Sequence, residues 1–204
     1  MKITLEEYTN PLNLGRYAGI CYGKNNIDQN KQAKNNQDEK RLAHIIGVGH
    51  LSVLRFGNAV FRIEGISRVC LAQLTRSKHL DYLVRSSRYC DETEALMLIP
   101  ESLAPHEQTV SNFLSLSKEV YTQLREAGVS KQDARYILPQ AQETELFVCG
   151  NYQAFVDFIR LRVSKSAQTE VRQVALEVLR QLYAVAPIIY GDLYNENIGK
   201  NNTK

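Results

Sequence analysis

Tryptophan is absent from this 204-residue sequence, and cysteine is sparse: Cys21, Cys70, Cys90 and Cys149 stand far apart with no CxxC or CxxH pair. That scattering offers no zinc site and no disulfide framework, so no metal is expected and the thiols are expected to be reduced. No apolar run approaches the roughly 20 residues that span a bilayer. The opening MKITLEEYTN places acidic residues where a signal peptide would continue apolar. The expectation is a cytoplasmic protein that does not enter a membrane. Charge of one sign is also lacking, since 25 basic against 22 acidic residues leave a net of +3. This is too mild for binding duplex nucleic acid through its phosphates, so any anion is bound locally. Finally, no Gly-rich turn follows a strand, which makes a Rossmann or P-loop reading poor.

What is present is ample apolar material, 44% of residues, enough for a single domain over residues 1–204. Lys2 to Thr9 alternates like a strand, and Asn10-Pro11 opens a short helix that stops near Gly23. Residues 24–37 are almost wholly Asn, Gln, Lys and Asp, a composition that predicts a mobile polar loop. Helical spacing resumes from Asp38 to Val48. Leu51 to Ile63 has strand character with a bend at Gly57-Asn58, and Gly65 to Arg76 reads as a helix. Lys78 to Cys90 is the least regular segment and is taken as a loop. Further on, helices are predicted over Glu107–Ala127, Tyr152–Val163 and Ala167–Ala186, with a Ser130 cap opening another and Pro187 as a stop. Glu143 to Cys149 is the remaining strand, and the tail from Asn195 is expected to fray. Strands interspersed with helices, without regular βαβ repetition, predict an α+β fold.

Chemistry concentrates in Gln73-Leu-Thr-Arg76-Ser77-Lys78 and in Ser86-Ser87-Arg88-Tyr89. Guanidinium groups beside hydroxyls and loop amides suit a phosphate dianion, although a solvated basic loop has the same composition. Two more arginines add weight. Arg135 precedes Leu138-Pro139, and Arg162 adjoins a stripe formed by Phe155, Phe158 and Leu161. A half-buried arginine usually has an anionic partner.

Taken together, these segments resemble the flavin-dependent thymidylate synthases. The run from Asn151 to Arg162, followed by Ala167-Gln168-Thr-Glu170-Val-Arg172, is similar to that family's Asn-Ala-Arg-Ser-Leu, helix ending in Leu-Arg, and Ala-Gln-x-Glu-Ile-Arg. Gln73, Arg76, Ser86, Arg88 and Tyr89 fall on its Arg-His-Arg-x7-Ser segment, and His50-x-Ser52 on its upstream His-x-Ser. The order is kept from about residue 3 to about residue 190. The resemblance implies a central antiparallel sheet flanked by helices and a homotetramer with shared active sites. It also implies reductive methylation of dUMP to dTMP, with methylenetetrahydrofolate as carbon donor and FAD reduced by NADPH. Carried over, Gln73, Arg76, Ser86, Ser87, Arg88, Arg135 and Arg162 would bind dUMP, Arg162 stabilising charge on the pyrimidine. Ser52, Ser77, Lys78, Asn151, Gln153 and Gln168 would face FAD.

The sequence departs from the family pattern mostly on the flavin side. Ser77 and Lys78 stand for His-Arg of the central motif, Val84 for an acid, Arg55-Phe56 for Glu-His and Gln153 for an arginine. The losses leave open a paralogue that binds a uridine nucleotide such as UMP, modifying C5 differently or not acting as an enzyme.

Overall fold

The computed structural model describes residues 1–23 and 31–199. Four strands, β1 (Lys2–Tyr8), β2 (Asn58–Ser67), β3 (Leu80–Val84) and β4 (Glu143–Asn151), form one sheet in the order β1-β2-β4-β3. β2 and β4 run antiparallel. Their ladder is bracketed by Arg68 N–H donating to the Gln142 carbonyl at 3.1 Å and Tyr152 N–H donating to the Gly57 carbonyl at 2.8 Å. The period of two that defines a half-buried strand is visible in Ala59, Phe61 and Ile63 of β2 and in Thr144, Leu146 and Val148 of β4, all buried.

The chain divides into two compact units. One comprises Met1–Lys2, Ile63–Arg76 and Leu83–Phe147. It contains α3 (Arg68–Leu74), α4 (Glu107–Glu126) and α5 (Lys131–Ala134). α3 begins because the Ser67 hydroxyl accepts from Cys70 N–H, and α5 because the Ser130 hydroxyl accepts from Asp133 N–H. α4 ends before Gly128, whose φ of +84° is the left-handed conformation that glycine adopts without strain.

The other unit comprises Ile3–Arg62, Ser77–Tyr82 and Val148–Lys204. Its helices are α1 (Leu12–Ala18), α2 (Lys31–Gly47), α6 (Tyr152–Arg162), α7 (Thr169–Val185) and α8 (Pro187–Asn197). α7 buries Val171, Val174, Ala175, Val178, Leu179 and Leu182, the three-and-four spacing of one helix face. Phe155 of α6 meets Phe61 edge-on at 5.3 Å, and Tyr152 meets Tyr190 of α8 at 6.0 Å. Gln181 of α7 reaches β1 with both ends of its amide: Oε1 accepts from Leu5 N–H and Nε2 donates to the Ile3 carbonyl, each at 2.8 Å.

Several sequence expectations are corrected. Residues 24–30 of the polar stretch lie outside the described residues, whereas 31–37 belong to α2. Lysine, glutamine and alanine lose little on entering a helix, so a polar turn can extend a helix that buries Leu42 and Ile45. Leu51–Phe56 is a 3-10 turn burying Val53 and Leu54, and β2 starts only after Gly57. The Tyr152 ring fixes that break, because a Cβ on Gly57 would lie 2.6 Å from it. Gly65 does not open the helix read from Gly65 to Arg76: it lies within β2 at φ +70°, and α3 starts three residues later. β3 arises inside the segment read as a loop. Pro187, read as a stop, is also the first residue of α8, where its missing N–H costs nothing. Leu161 is 59% exposed, so the stripe beside Arg162 consists of Phe155, Phe158 and Ile159 instead.

Candidate active site

In the first unit, the turn after β3 and the end of α5 converge. Arg135 Nη1 donates to the Ser87 hydroxyl at 3.2 Å, and its Nε donates to the Gln132 carbonyl at 3.2 Å. Gln132 in turn accepts from Arg88 Nε at 2.8 Å, and Arg88 N–H donates to the Ser86 hydroxyl at 3.3 Å. Four expected residues, Ser86, Ser87, Arg88 and Arg135, are therefore linked by hydrogen bonds. Ser87 is buried; Arg88 stays exposed with its guanidinium 5.9 Å from the Tyr89 ring centre.

Arg135 and Ser87 line a cleft of about 260 Å³ together with Arg68, Tyr136, Leu138 and Gln142. Arg68 and Gln142 are the residues sequence reasoning missed. Arg68 Nε donates to Gln142 Oε1 at 3.2 Å, which leaves Arg68 Nη2 and Gln142 Nε2 buried without a hydrogen-bond partner. Both open groups are donors. Burial pushes the Arg68 guanidinium below its ordinary pKa, Glu92 works against that fall, and the charges of Arg135 and Arg85 add to it. Buried donors left open beside the positive charges of Arg68 and Arg135 suit an anion, and a phosphate offers three acceptor oxygens. No motif marks Arg68; its place at the first position of α3, directly after β2, is known only from the fold. Gln73 and Arg76 stand on and just beyond α3 of the same unit, Gln73 partly buried and Arg76 exposed.

The second unit holds the remaining expected residues. Arg162 is the last residue of α6 and is partly buried. Its charge acts on the Tyr82 phenol, whose hydroxyl donates to the Ser77 carbonyl at 3.4 Å; burial nevertheless raises that phenol to about 12. Ser77 is 9% exposed and its hydroxyl has no hydrogen-bond partner. Lys78 is exposed, and His79 takes a left-handed backbone at φ +66°. Gly150 lies against that turn: a Cβ there would come 2.4 Å from Leu80 Cδ2 and 3.2 Å from the His79 carbonyl.

Asn151 and Gln168 have structural duties, accepting from Ala154 N–H and Val171 N–H as the caps of α6 and α7. Gln153 donates to Asp157 at 2.9 Å, while its Oε1 is buried and unmatched. Ser52 borders a separate apolar cleft of about 500 Å³ with His50, Tyr17, Ile45 and Phe56. Tyr17 and Phe56 meet there edge-on at 6.5 Å. For a flavin cofactor, this unit thus offers two buried unmatched oxygens at Ser77 and Gln153, one exposed cation at Lys78, and an apolar wall. These groups fit the neutral, hydrogen-bonding ring of a flavin better than its diphosphate. Among the described residues no group of His, Cys, Asp and Glu could hold a metal, and no helix is long and apolar enough to cross a membrane.

The family model described as thymidylate synthase complementing protein matches residues 4–188, which is most of the chain. The chain belongs to the flavin-dependent thymidylate synthase family. The enzyme of that name from Mycobacteroides abscessus is 35% identical over 198 residues, covering 88% of this chain and 78% of the relative. The one from Mycolicibacterium gilvum is 37% identical over 169 residues, covering 74% and 68%. In fold, the chain is similar to the crystal structure of flavin-dependent thymidylate synthase ThyX from Helicobacter pylori complexed with FAD and dUMP. The TM-score is 0.76 at 21% identity, over 94% of this chain and 99% of that one. Helices around an antiparallel sheet, expected from the sequence, are the family's architecture.

Proposed function

We propose that this family member catalyses the reductive methylation of dUMP to dTMP, taking its carbon from methylenetetrahydrofolate and its reducing equivalents from NADPH. The observation that carries the reading is the cleft of Arg68, Ser87, Arg135 and Gln142, whose open buried donors suit the 5′-phosphate of a nucleotide. By the family motif, Arg88, Ser86 and Gln73 are assigned to the phosphate and sugar of the nucleotide, and Arg76 adds an exposed charge. Arg162 is assigned to the pyrimidine. A guanidinium stays charged at any working pH, so it can stabilise negative charge developing on the ring without itself losing a proton.

Bound FAD supplies the hydride in this chemistry, which relieves the four cysteines of any need to attack the pyrimidine. The residues that would hold it are Ser77, Gln153 and Lys78, with Ser52, Asn151 and Gln168 at its margins. Within the chain itself, Tyr82 remains a neutral phenol throughout the working pH range. It stands beside Ser77 and within the field of Arg162. We infer a single functional domain, because the family match runs unbroken across both compact units. Exposed apolar side chains at Phe113, Leu116 and Tyr136 support the homotetramer, and a cytoplasmic location accords with dUMP as a soluble substrate.

The test is the visible absorption spectrum of the purified protein with added FAD, followed by a dUMP titration. A flavin band that shifts on adding dUMP is the expected result. Binding of dUMP without flavin would overturn the synthase reading and leave a nucleotide-binding paralogue.

A further inference from the structure

Gln142 is 2% exposed and lines the cleft of Arg68 and Arg135. Its backbone is pinned on three sides. The N–H donates to the Pro139 carbonyl at 3.0 Å, the carbonyl accepts from Arg68 N–H at 3.1 Å, and the residue pairs with Met97 in an isolated antiparallel bridge. The side chain thus starts from a fixed point, and it meets Arg68 a second time where Oε1 accepts from Nε at 3.2 Å. An arginine Nε can only donate, so the amide must turn its oxygen to Arg68 and keep its nitrogen for another partner. That nitrogen, Nε2, is buried without a hydrogen-bond partner. A buried N–H left open costs stability, and at the wall of a cleft it suits a ligand that brings the acceptor.

The charges around it point the same way. Among the described residues that line the cleft, Arg68 and Arg135 are cationic and none is acidic. Glu92 and Arg85 act on Arg68 with opposite signs, but neither lines the cleft, and Glu143, next in sequence to Gln142, borders a different one. A glutamate in place of Gln142 would have the same shape, yet it would satisfy Arg68 from within and turn a negative charge toward any incoming anion. We propose that Gln142 is the residue that determines the cleft's selectivity for an anion: its neutral amide anchors Arg68 without cancelling the charge, and its open Nε2 donates to the phosphate. This rests on the phosphate reading of the Arg68–Arg135 cleft and deepens it. Exchanging that one nitrogen for oxygen should convert an anion receptor into a closed ion pair.

The experiment is isothermal titration of the full chain with dUMP from about pH 8 down to about pH 6, comparing wild type with Gln142→Glu and Gln142→Met. At the upper pH, Gln142→Glu is expected to bind at least about tenfold more weakly than wild type. A bound phosphate dianion raises the pKa of the new carboxyl, so binding takes up a proton and the deficit relative to wild type should shrink as pH falls. Once protonated, that carboxyl accepts from Arg68 and donates to the phosphate as the amide does. Gln142→Met gives up both contacts without adding charge, and is expected to lose about three- to tenfold at every pH. Wild-type affinity in Gln142→Glu, or a deficit that stays constant with pH, would overturn the proposal, since a packing defect has no proton to take up. If Gln142→Glu does not fold, Gln142→Met decides, and wild-type affinity there overturns the proposal. If neither variant folds, Gln142 is a structural residue and the proposal fails. A dUMP affinity that Arg68→Met leaves unchanged refutes instead the phosphate reading beneath it.

Discussion

Replacing Arg68 by methionine separates a binding arginine from a structural one, because the two roles predict opposite signs. Arg68 makes one side-chain hydrogen bond, to Gln142 at 3.2 Å, while its Nη2 is buried with none. Burial and two neighbouring arginines oppose its charge. Methionine retains most of the apolar stem and removes a desolvated cation, so stability is expected to change by less than about 1 kcal/mol, with a rise allowed by the relief of repulsion. Ligand binding should suffer far more. A charge-assisted hydrogen bond contributes roughly 1.5–3 kcal/mol, which is about 10- to 150-fold in dissociation constant. Isothermal titration with dUMP measures the loss, and deoxyuridine, lacking the phosphate, should bind both proteins alike. If Arg68→Met instead unfolds several degrees lower and leaves dUMP affinity within twofold, the guanidinium is a structural strut and the cleft is not a phosphate site.

Three other outcomes follow from the same coordinates. Gly150→Ala drives a methyl to 2.4 Å from Leu80 Cδ2 and presses the turn at His79, and should cost roughly 1–3 kcal/mol in urea unfolding; an unchanged midpoint would show that Leu80 simply moves aside. The Tyr82 phenol is raised to about 12 from its ordinary 10, so the unfolded chain releases that proton first and stability falls as pH climbs from about 10 to about 12. Tyr82→Phe should flatten part of that alkaline loss, the rest belonging to Tyr152 and Tyr190, which burial also pushes up; an identical profile in the variant would refute the assignment. Ser77→His with Lys78→Arg restores the family motif in place of a buried hydroxyl lacking a partner, and is expected to tighten FAD in a fluorescence-quenching titration. No change would mean that the pocket has been rebuilt around other groups.

The sequence disclosed those parts of the fold in which each residue's local duty and its global one coincide. The stripe from Val171 to Leu182 is a helix by spacing and a buried face in fact, and Ser130 is a cap by either account. β3 stayed hidden because its exposure alternates while its polarity does not: the outward Leu83 is as apolar as the half-buried Tyr82 and Val84 on either side of it. The turn at Leu51–Phe56 was mistaken for strand because the feature that breaks it, the Tyr152 ring against Gly57, lies almost a hundred positions away. The candidate site divides in the same way. Ser87 and Arg135 are candidates from motifs, and the fold brings them within a 3.2 Å hydrogen bond of each other. Arg68 and Gln142 carry no motif. They matter through desolvation and mutual charge, quantities that exist only once the chain has folded.

Gln181 offers β1 a single amide that stands in for one peptide unit of a neighbouring strand, taking the N–H of Leu5 and supplying one to Ile3. A sheet margin with unmatched backbone groups is a template on which other chains can grow. Here one side chain of a helix blunts that template at its centre, and it does so without lengthening the sheet. Losing the Gln181 amide would bare the Leu5 N–H and the Ile3 carbonyl at that margin, and the expected first sign is self-association of the folded chain.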